Sequence, residues 1–139
     1  RGRDPESKET YLVFPWAGNP QSEVLKVRGS LSWDEWWTEF GRPILDALAH
    51  AHSQDVAHRD VKPDNILIDD YEIPRLGDFG VSKLMREMSL GLTLNEHVSR
   101  PFAPPDIDDG IHSRTRDLHA WAALTYFAIC GINPEPVQP

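Results

Sequence analysis

The stretch His58-Arg59-Asp60-Val61-Lys62-Pro63-Asp64-Asn65-Ile66-Leu67-Ile68-Asp69-Asp70, followed by Gly77-Asp78-Phe79-Gly80, decides the fold. Ile66-Leu67-Ile68 and Ile73-Pro74-Arg75-Leu76 are short apolar runs, and Asp69-Asp70-Tyr71-Glu72 between them has the composition of a turn. Together they read as a β-hairpin. Its two ends carry Asn65 and Asp78, so the hairpin delivers an amide and a carboxylate to neighbouring places.

These spacings suit phosphoryl transfer. That chemistry needs an aligned hydroxyl, metal ions on the phosphates and positive charge near the transferring group, with little covalent help from the protein. Asp60 is suited to accept the hydroxyl proton or to orient the hydroxyl. Lys62 lies two residues on, so in an extended loop it points to the same side and can meet a γ-phosphate. Asn65 and Asp78 are oxygen ligands of the type Mg²⁺ accepts, few enough to leave places for phosphate oxygens and water. Gly77 and Gly80 permit backbone turns on either side of Asp78, and Phe79 can anchor that loop in the core.

Upstream, Ser32 and Glu35 have the spacing of a capping box, with Leu31 and Trp36 placed as a hydrophobic staple. Trp37, Phe40, Ile44, Leu48 and Ala51 then recur at three- and four-residue steps, which makes one apolar helical stripe. Pro43 removes a helical hydrogen bond and, coming after Gly41, predicts a kink or restart. The tryptophans read as core packing. A short amphipathic piece over 22–27 closes at Gly29, Gly18-Asn19-Pro20 turns the chain, and Tyr11-Leu12-Val13-Phe14 reads as a buried strand ended by Pro15. Downstream, residues 81–100 read as a long polar loop. Residues 117–130 are nearly all apolar and predict a helix buried on most sides, ended by Gly131 with Pro134 beyond.

At 139 residues, 40% hydrophobic and 26% charged, the chain fits one globular domain with one core. A formal net charge of -8 excludes nucleic acid or an anionic membrane as the main partner. Cys130 is the only cysteine, so no intrachain disulfide is expected and a reducing, cytoplasmic setting is favoured. The six histidines have no zinc-ligand spacing with it, and His50 and His52 fall on different faces of a helix and read as structural. There is no signal peptide and no apolar run of the ~18 residues a membrane span needs. The chain begins without methionine and ends abruptly, so it reads as a piece of something longer.

His58 to Asn65 resembles the catalytic-loop signature of eukaryotic-type protein kinases, and Asp78-Phe79-Gly80 resembles their metal-binding signature, in the right order and separation. Lys62 favours the serine/threonine branch, because tyrosine kinases usually lack it, and it disfavours small-molecule kinases, whose catalytic loops carry no such lysine. The resemblance covers the whole chain. It implies that Phe14 is the gatekeeper, that backbone groups of Pro15 and Ala17 meet adenine, and that Leu67 packs beneath the ring. Ser99 would contact Asp60 and Lys62, Pro104-Pro105-Asp106 would stand for the usual Ala-Pro-Glu, and Asp117 would be the central-helix acid that anchors the catalytic loop. His58 and Phe79 look like members of the hydrophobic stack of the active state. Arg59 marks a kinase switched by phosphorylation, with Ser89 and Thr93 as candidate acceptors that read more simply as solvated loop hydroxyls.

The implied fold is α+β: a protein-kinase-like large lobe, mainly helical, with a short β-hairpin at the active site and the small lobe largely absent. Residues 1–19 would be the end of the small lobe and the hinge, and residues 20–139 the first part of the large lobe. The implied function is ATP- and Mg²⁺-dependent transfer to a protein serine or threonine, with Asp60, Lys62 and Asn65 catalytic. Pro15, Ala17, Leu67 and Lys62 would meet the nucleotide, and Asn65 and Asp78 the metal. No glycine-rich loop, strand lysine or helix glutamate is found in the 139 residues, so slow or no transfer is expected of the chain alone. The alternative is a pseudokinase or kinase-like interaction scaffold, against which the intact Asp60, Lys62, Asn65 and Asp78 argue.

Overall fold

The computed structural model describes residues 2–3, 6, 10–11, 17–79, 101–103 and 113–134. Near the amino terminus, β1 (Gly2–Arg3) pairs antiparallel with β2 (Thr10–Tyr11). Next, β3 (Asn19–Pro20) leads directly into α1 (Gln21–Arg28). The sequence reads Gly18-Asn19-Pro20 as a turn, but Asn19 and Pro20 form an edge strand, a position where proline's missing donor is tolerated. Gly18 makes the approach possible: its φ is +120°, and a Cβ there would lie 2.0 Å from the carbonyl oxygen of Ile68. No other residue fits that space.

Helix α1 ends where the sequence predicts, at Gly29, whose φ is +76° and whose amide bonds the Leu25 carbonyl at 2.8 Å. Leu25 and Gln21 are its buried residues. Gln21 is 0% exposed, and neither its Nε2 nor its Oε1 has a hydrogen-bond partner among the described residues. A buried amide without partners destabilises, since its lost hydration is not replaced. Gln21→Leu is therefore expected to raise stability by about 1–3 kcal/mol. A urea midpoint at or below that of the natural chain would refute this.

The capping box forms as read: Ser32 Oγ accepts from the Glu35 amide at 3.3 Å, and Glu35 Oε2 accepts from the Ser32 amide at 2.8 Å. The helix then runs as α2 (Trp33–Trp36), a π turn (Trp37–Gly41) and α3 (Arg42–Ser53). Pro43 falls in the first turn of α3, where its fixed φ and missing N–H are tolerated, so the restart expected there takes the form of a π turn. Trp36, Phe40, Ile44, Leu48 and Ala51 are buried, at nearly uniform four-residue steps. Such steps drift by about 40° each around an α-helix. The wider π turn absorbs part of that drift, so Trp36 takes the core position assigned above to Trp37, which is only half-buried. Trp33 departs further from the core reading: it is 53% exposed and stacks on Trp37 with ring centroids 5.8 Å apart.

After the loop that follows α3, a 3₁₀ turn (Pro63–Asn65) leads into β4 (Ile66–Ile68), which pairs with β3 on one side and β5 (Pro74–Leu76) on the other, both antiparallel. Asp69 builds the hairpin turn: its Oδ1 accepts from the amides of Tyr71 (3.0 Å) and Ile73 (2.9 Å), and its Oδ2 pairs with Arg75 at 2.8 Å. The Ile73 amide and then the Arg75 guanidinium hold the Asp69 carboxyl below its ordinary range.

The last helix, α4 (Ser113–Cys130), starts before the apolar run begins. Its buried residues are Asp117, Ala120, Ala123, Leu124 and Ala128, while Leu118 (47%) and Tyr126 (45%) are exposed. It is thus buried along one face and not on most sides, with small alanines allowing close approach to α2 and α3. Trp36 Nε1 donates to Thr125 Oγ1 at 3.1 Å, and Trp121 Nε1 donates to the Gly41 carbonyl in the π turn at 2.9 Å. The Gly131 amide closes α4 on the Phe127 carbonyl at 2.9 Å, as expected. Among the described residues, no helix is long and apolar enough to cross a membrane.

Candidate active site

The loop from His58 to Asn65 is held from beneath by one carboxylate. Asp117, 1% exposed on α4, accepts the His58 amide on Oδ2 at 2.8 Å and the Arg59 amide on Oδ1 at 2.6 Å. His52 of α3 meets the same Oδ2 through Nε2 at 2.7 Å. Arg59 has φ +71°, a left-handed conformation that a side chain-bearing residue keeps only when its surroundings over-determine it. The two bonds to Asp117 supply that constraint.

His58 ties the loop to the hairpin. Its ring is 0% exposed; Nε2 lies 2.6 Å from the Gly77 carbonyl, and the Asp60 amide donates to Nδ1 at 3.3 Å. A carbonyl only accepts and an amide N–H only donates, so the ring is the neutral Nε2–H tautomer. Burial is the main cause that pushes the His58 pKa down, against the raising pull of the Gly77 carbonyl and nearby acids. Neutral His58 therefore contributes stability that is complete above its ordinary value of 6.5 and declines as pH falls below it, because the unfolded chain gains a proton the folded one resists. His58→Gln keeps a donor to Gly77 and removes the titration. The stability gap between the natural chain and His58→Gln is expected to narrow between about pH 7.5 and pH 5.5 in urea melts. A constant gap would contradict this reading.

Asp60, Lys62 and Asn65 come together. Lys62 Nζ is 2.8 Å from Asp60 Oδ2, and Asn65 Nδ2 donates both to the Asp60 carbonyl (2.7 Å) and to Oδ2 (2.9 Å). The 3₁₀ turn makes this possible, with the Asn65 amide bonding the Lys62 carbonyl at 3.0 Å. Because Nδ2 faces Asp60, Asn65 turns Oδ1 away with no hydrogen bond from a described residue. The Gly77 amide meets the Asn65 carbonyl at 2.8 Å, which sets Asp78 one residue beyond Asn65's neighbour. Asp78 is exposed with φ +60°, so the turn expected of Gly77 is made by the aspartate itself. Aspartate tolerates this conformation better than most residues. Asn65 Oδ1 and the Asp78 carboxylate are oxygen donors of the type that fits Mg²⁺, which keeps several waters and demands few protein ligands. Among the described residues there is no cluster of three or more His, Cys, Asp or Glu that would form a closed metal centre.

Phe79 does not sink into the core as expected. It is 40% exposed and packs edge-on against His58, with centroids 4.6 Å apart and planes at 68°. Leu67 is half-buried on β4, paired with Pro20 on one side and Arg75 on the other, and Ala17 is half-buried just before β3. Phe14, Pro15, Gly80, Ser89, Thr93, Ser99, Pro104, Pro105, Asp106 and the 81–100 loop lie outside the described residues. Two contacts went unread in the sequence. One is His52 with Asp117; the other is Ser22 Oγ donating to Asp64 Oδ1 at 2.5 Å, which joins α1 to the 3₁₀ turn. Neither pair has a local sequence signal.

Curated proteins similar to this chain are protein kinases. Over 129 residues it is 29% identical to the carbon catabolite-derepressing protein kinase of Candida tropicalis, which covers 91% of this chain and 20% of that protein. Over 97 residues it is 34% identical to the calcium/calmodulin-dependent protein kinase cmkB of Emericella nidulans, covering 67% of this chain and 24% of that protein. Over 125 residues it is 31% identical to the serine/threonine-protein kinase PknK of Mycobacterium tuberculosis, covering 87% and 11%. The chain thus spans about a fifth of the length of the first curated relatives it matches. The family model of the protein kinase domain matches residues 5–138, a span that includes Asp60, Asn65, Asp78 and Asp117, and the chain belongs to that family.

Proposed function

We propose that these residues form the phosphoryl-transfer floor of an ATP- and Mg²⁺-dependent serine/threonine protein kinase. The observation that carries this reading is the Asp60 carboxylate, bonded at once by the Lys62 ammonium at 2.8 Å and the Asn65 amide at 2.9 Å, on a loop tied by backbone to the segment bearing Asp78. Asp60 orients the acceptor hydroxyl and takes its proton. Lys62, half-buried beside it, places positive charge where negative charge builds up on the transferring group. Asn65 Oδ1 and the Asp78 carboxylate hold the metal, and bound Mg²⁺ would supply charge neutralisation at the phosphates. Leu67, with the backbone of Pro15 and Ala17, receives the adenine. Lys62 supports serine or threonine on a protein as the acceptor.

Residues 1–19 are assigned to the end of the small lobe and the hinge, and residues 20–139 to the first part of the large lobe. The test uses the natural gene product containing these residues, with labelled ATP, Mg²⁺ and a panel of acceptor proteins. Phosphoserine or phosphothreonine should appear and should vanish with EDTA. Absence of transfer across that panel and in autophosphorylation, despite nucleotide binding, would favour an interaction scaffold. The 139 residues alone are expected to transfer slowly or not at all, and a rate equal to that of the gene product would refute that part.

A further inference from the structure

Helix α1 is pinned at both ends and poorly seated between them. Before it, Asn19 and Pro20 pair with Ile68 and Leu67 of β4. After it, the Leu31 amide bonds the Ala128 carbonyl of α4 at 2.9 Å. Between these pins α1 buries two residues, Gln21 and Leu25. Leu25 joins the core and Val24 packs against it, but Gln21 carries in an amide with no partner among the described residues. Docking α1 therefore strips water from two polar atoms and returns no hydrogen bond, whereas releasing α1 hydrates both. Two side-chain contacts hold the helix from outside. Arg28 forks onto Glu39 of the π turn, with Nη2 3.1 Å from Oε1 and Nη1 on Oε2. These side chains are 35% and 40% exposed, so the pair adds little. Ser22 Oγ donates to Asp64 Oδ1 at 2.5 Å, which ties the first turn of α1 to the 3₁₀ turn that carries Asn65. The far end is free to swing: Gly29 has φ +76°, and a Cβ there would meet nothing within 4 Å.

We propose that α1 is a strap that releases as one unit about Gly29, favoured by the misfit of Gln21, and that the 3₁₀ turn loosens with it through the Ser22–Asp64 bond. Release takes Asn65 Oδ1 out of place, so the docking of α1 gates the metal ligand. The gate rests on the assignment of Asn65 to Mg²⁺, whereas the opening of the strap does not.

Hydrogen exchange of the natural gene product, resolved to single amides and followed in sub-denaturing urea, tests the opening without a variant. The amides of Leu25 and Gly29 should be at least about tenfold less protected than that of Leu48 in α3. Their exchange should also respond weakly to urea, because a local opening exposes little surface. The Asn65 amide, bonded to the Lys62 carbonyl, should follow them. Gln21→Leu should slow exchange at Leu25 and Gly29 by about tenfold or more, and Gln21→Met, closer to glutamine in length, should do the same. Protection and urea response equal to those of Leu48, or α1 exchange that neither substitution slows, would overturn the strap. An Asn65 amide that follows Leu48 instead of α1 would overturn its link to the 3₁₀ turn. The gate is read with Mg²⁺ and a non-hydrolysable ATP analogue. Saturating amounts should slow exchange at Leu25 and Gly29 by about tenfold or more, as a ligand of the docked form does, and Ser22→Ala should cut that effect to below about threefold. Bound nucleotide that leaves α1 exchange unchanged would refute the gate. A protein that binds no nucleotide, yet exchanges as stated, would sustain the strap and reject only the proposed function.

Discussion

Asp60→Asn is expected to lower phosphoryl transfer by about 10²–10⁴-fold while the fold survives. Asparagine has nearly the size of aspartate but cannot take a proton at neutral pH, so the general-base contribution proposed for Asp60 goes with the charge. The scaffold around it is largely independent of that charge. Asn65 keeps its bond to the Asp60 backbone carbonyl at 2.7 Å, and an asparagine oxygen can still receive the Asn65 amide. The charge partnership with Lys62 is lost, and with these side chains only 22% and 27% exposed the loss costs about 1–3 kcal/mol, eased because the asparagine oxygen can still accept from the ammonium. Kinetics and a denaturant melt on the same preparation separate the two effects. A variant that retains activity within about tenfold would remove Asp60 from the role of base.

Asp117→Ala is expected to act the opposite way, through the fold first and through catalysis as a consequence. It leaves three donors without an acceptor in a dry place: the amides of His58 and Arg59 and the ring of His52. A buried donor left unmade costs about 1–3 kcal/mol, so a loss of roughly 3 kcal/mol or more follows. The left-handed conformation of Arg59 also loses its restraint. Asp117→Asn retains one acceptor oxygen but turns an N–H₂ toward a donor, and it should fall between the natural chain and Asp117→Ala. Urea midpoints of the three proteins provide the measurement. A loss below about 1 kcal/mol in Asp117→Ala would show that the loop holds its shape without the carboxylate.

Much of the fold was legible where the cause is local. Ser32 and Glu35 stand three apart and satisfy the helix start between them, so the capping box needed no tertiary partner. Gly29 and Gly131 end helices because both adopt positive φ. The hairpin followed from two apolar runs and an acidic turn, and with it the meeting of Asn65 and the segment of Asp78. Pro43 marked an irregularity, but a kink, a restart and a π turn all answer its missing N–H. Burial was less legible. Trp33, Leu118 and Tyr126 are apolar by composition yet 53%, 47% and 45% exposed, because which face a helix presents depends on what packs against it.

The sequence by itself determined the chemistry available: Asp60, Lys62, Asn65 and Asp78 lie close in the chain, and their spacing carries them to one hairpin end. It also determined the family, since the paired motifs are local strings. The resemblance implied Asp117 as the anchor of the loop, but only the tertiary structure decided through which atoms that chemistry is held. Asp117 reaches His58 across 59 residues, His52 reaches Asp117 across 65, and Trp36 reaches Thr125 across 89. Such contacts come from helices packed side by side, a geometry that periodicity along one helix leaves open. The buried Gln21, whose polarity runs against its place in the core, likewise became visible only when α1 was seen packed against the strands.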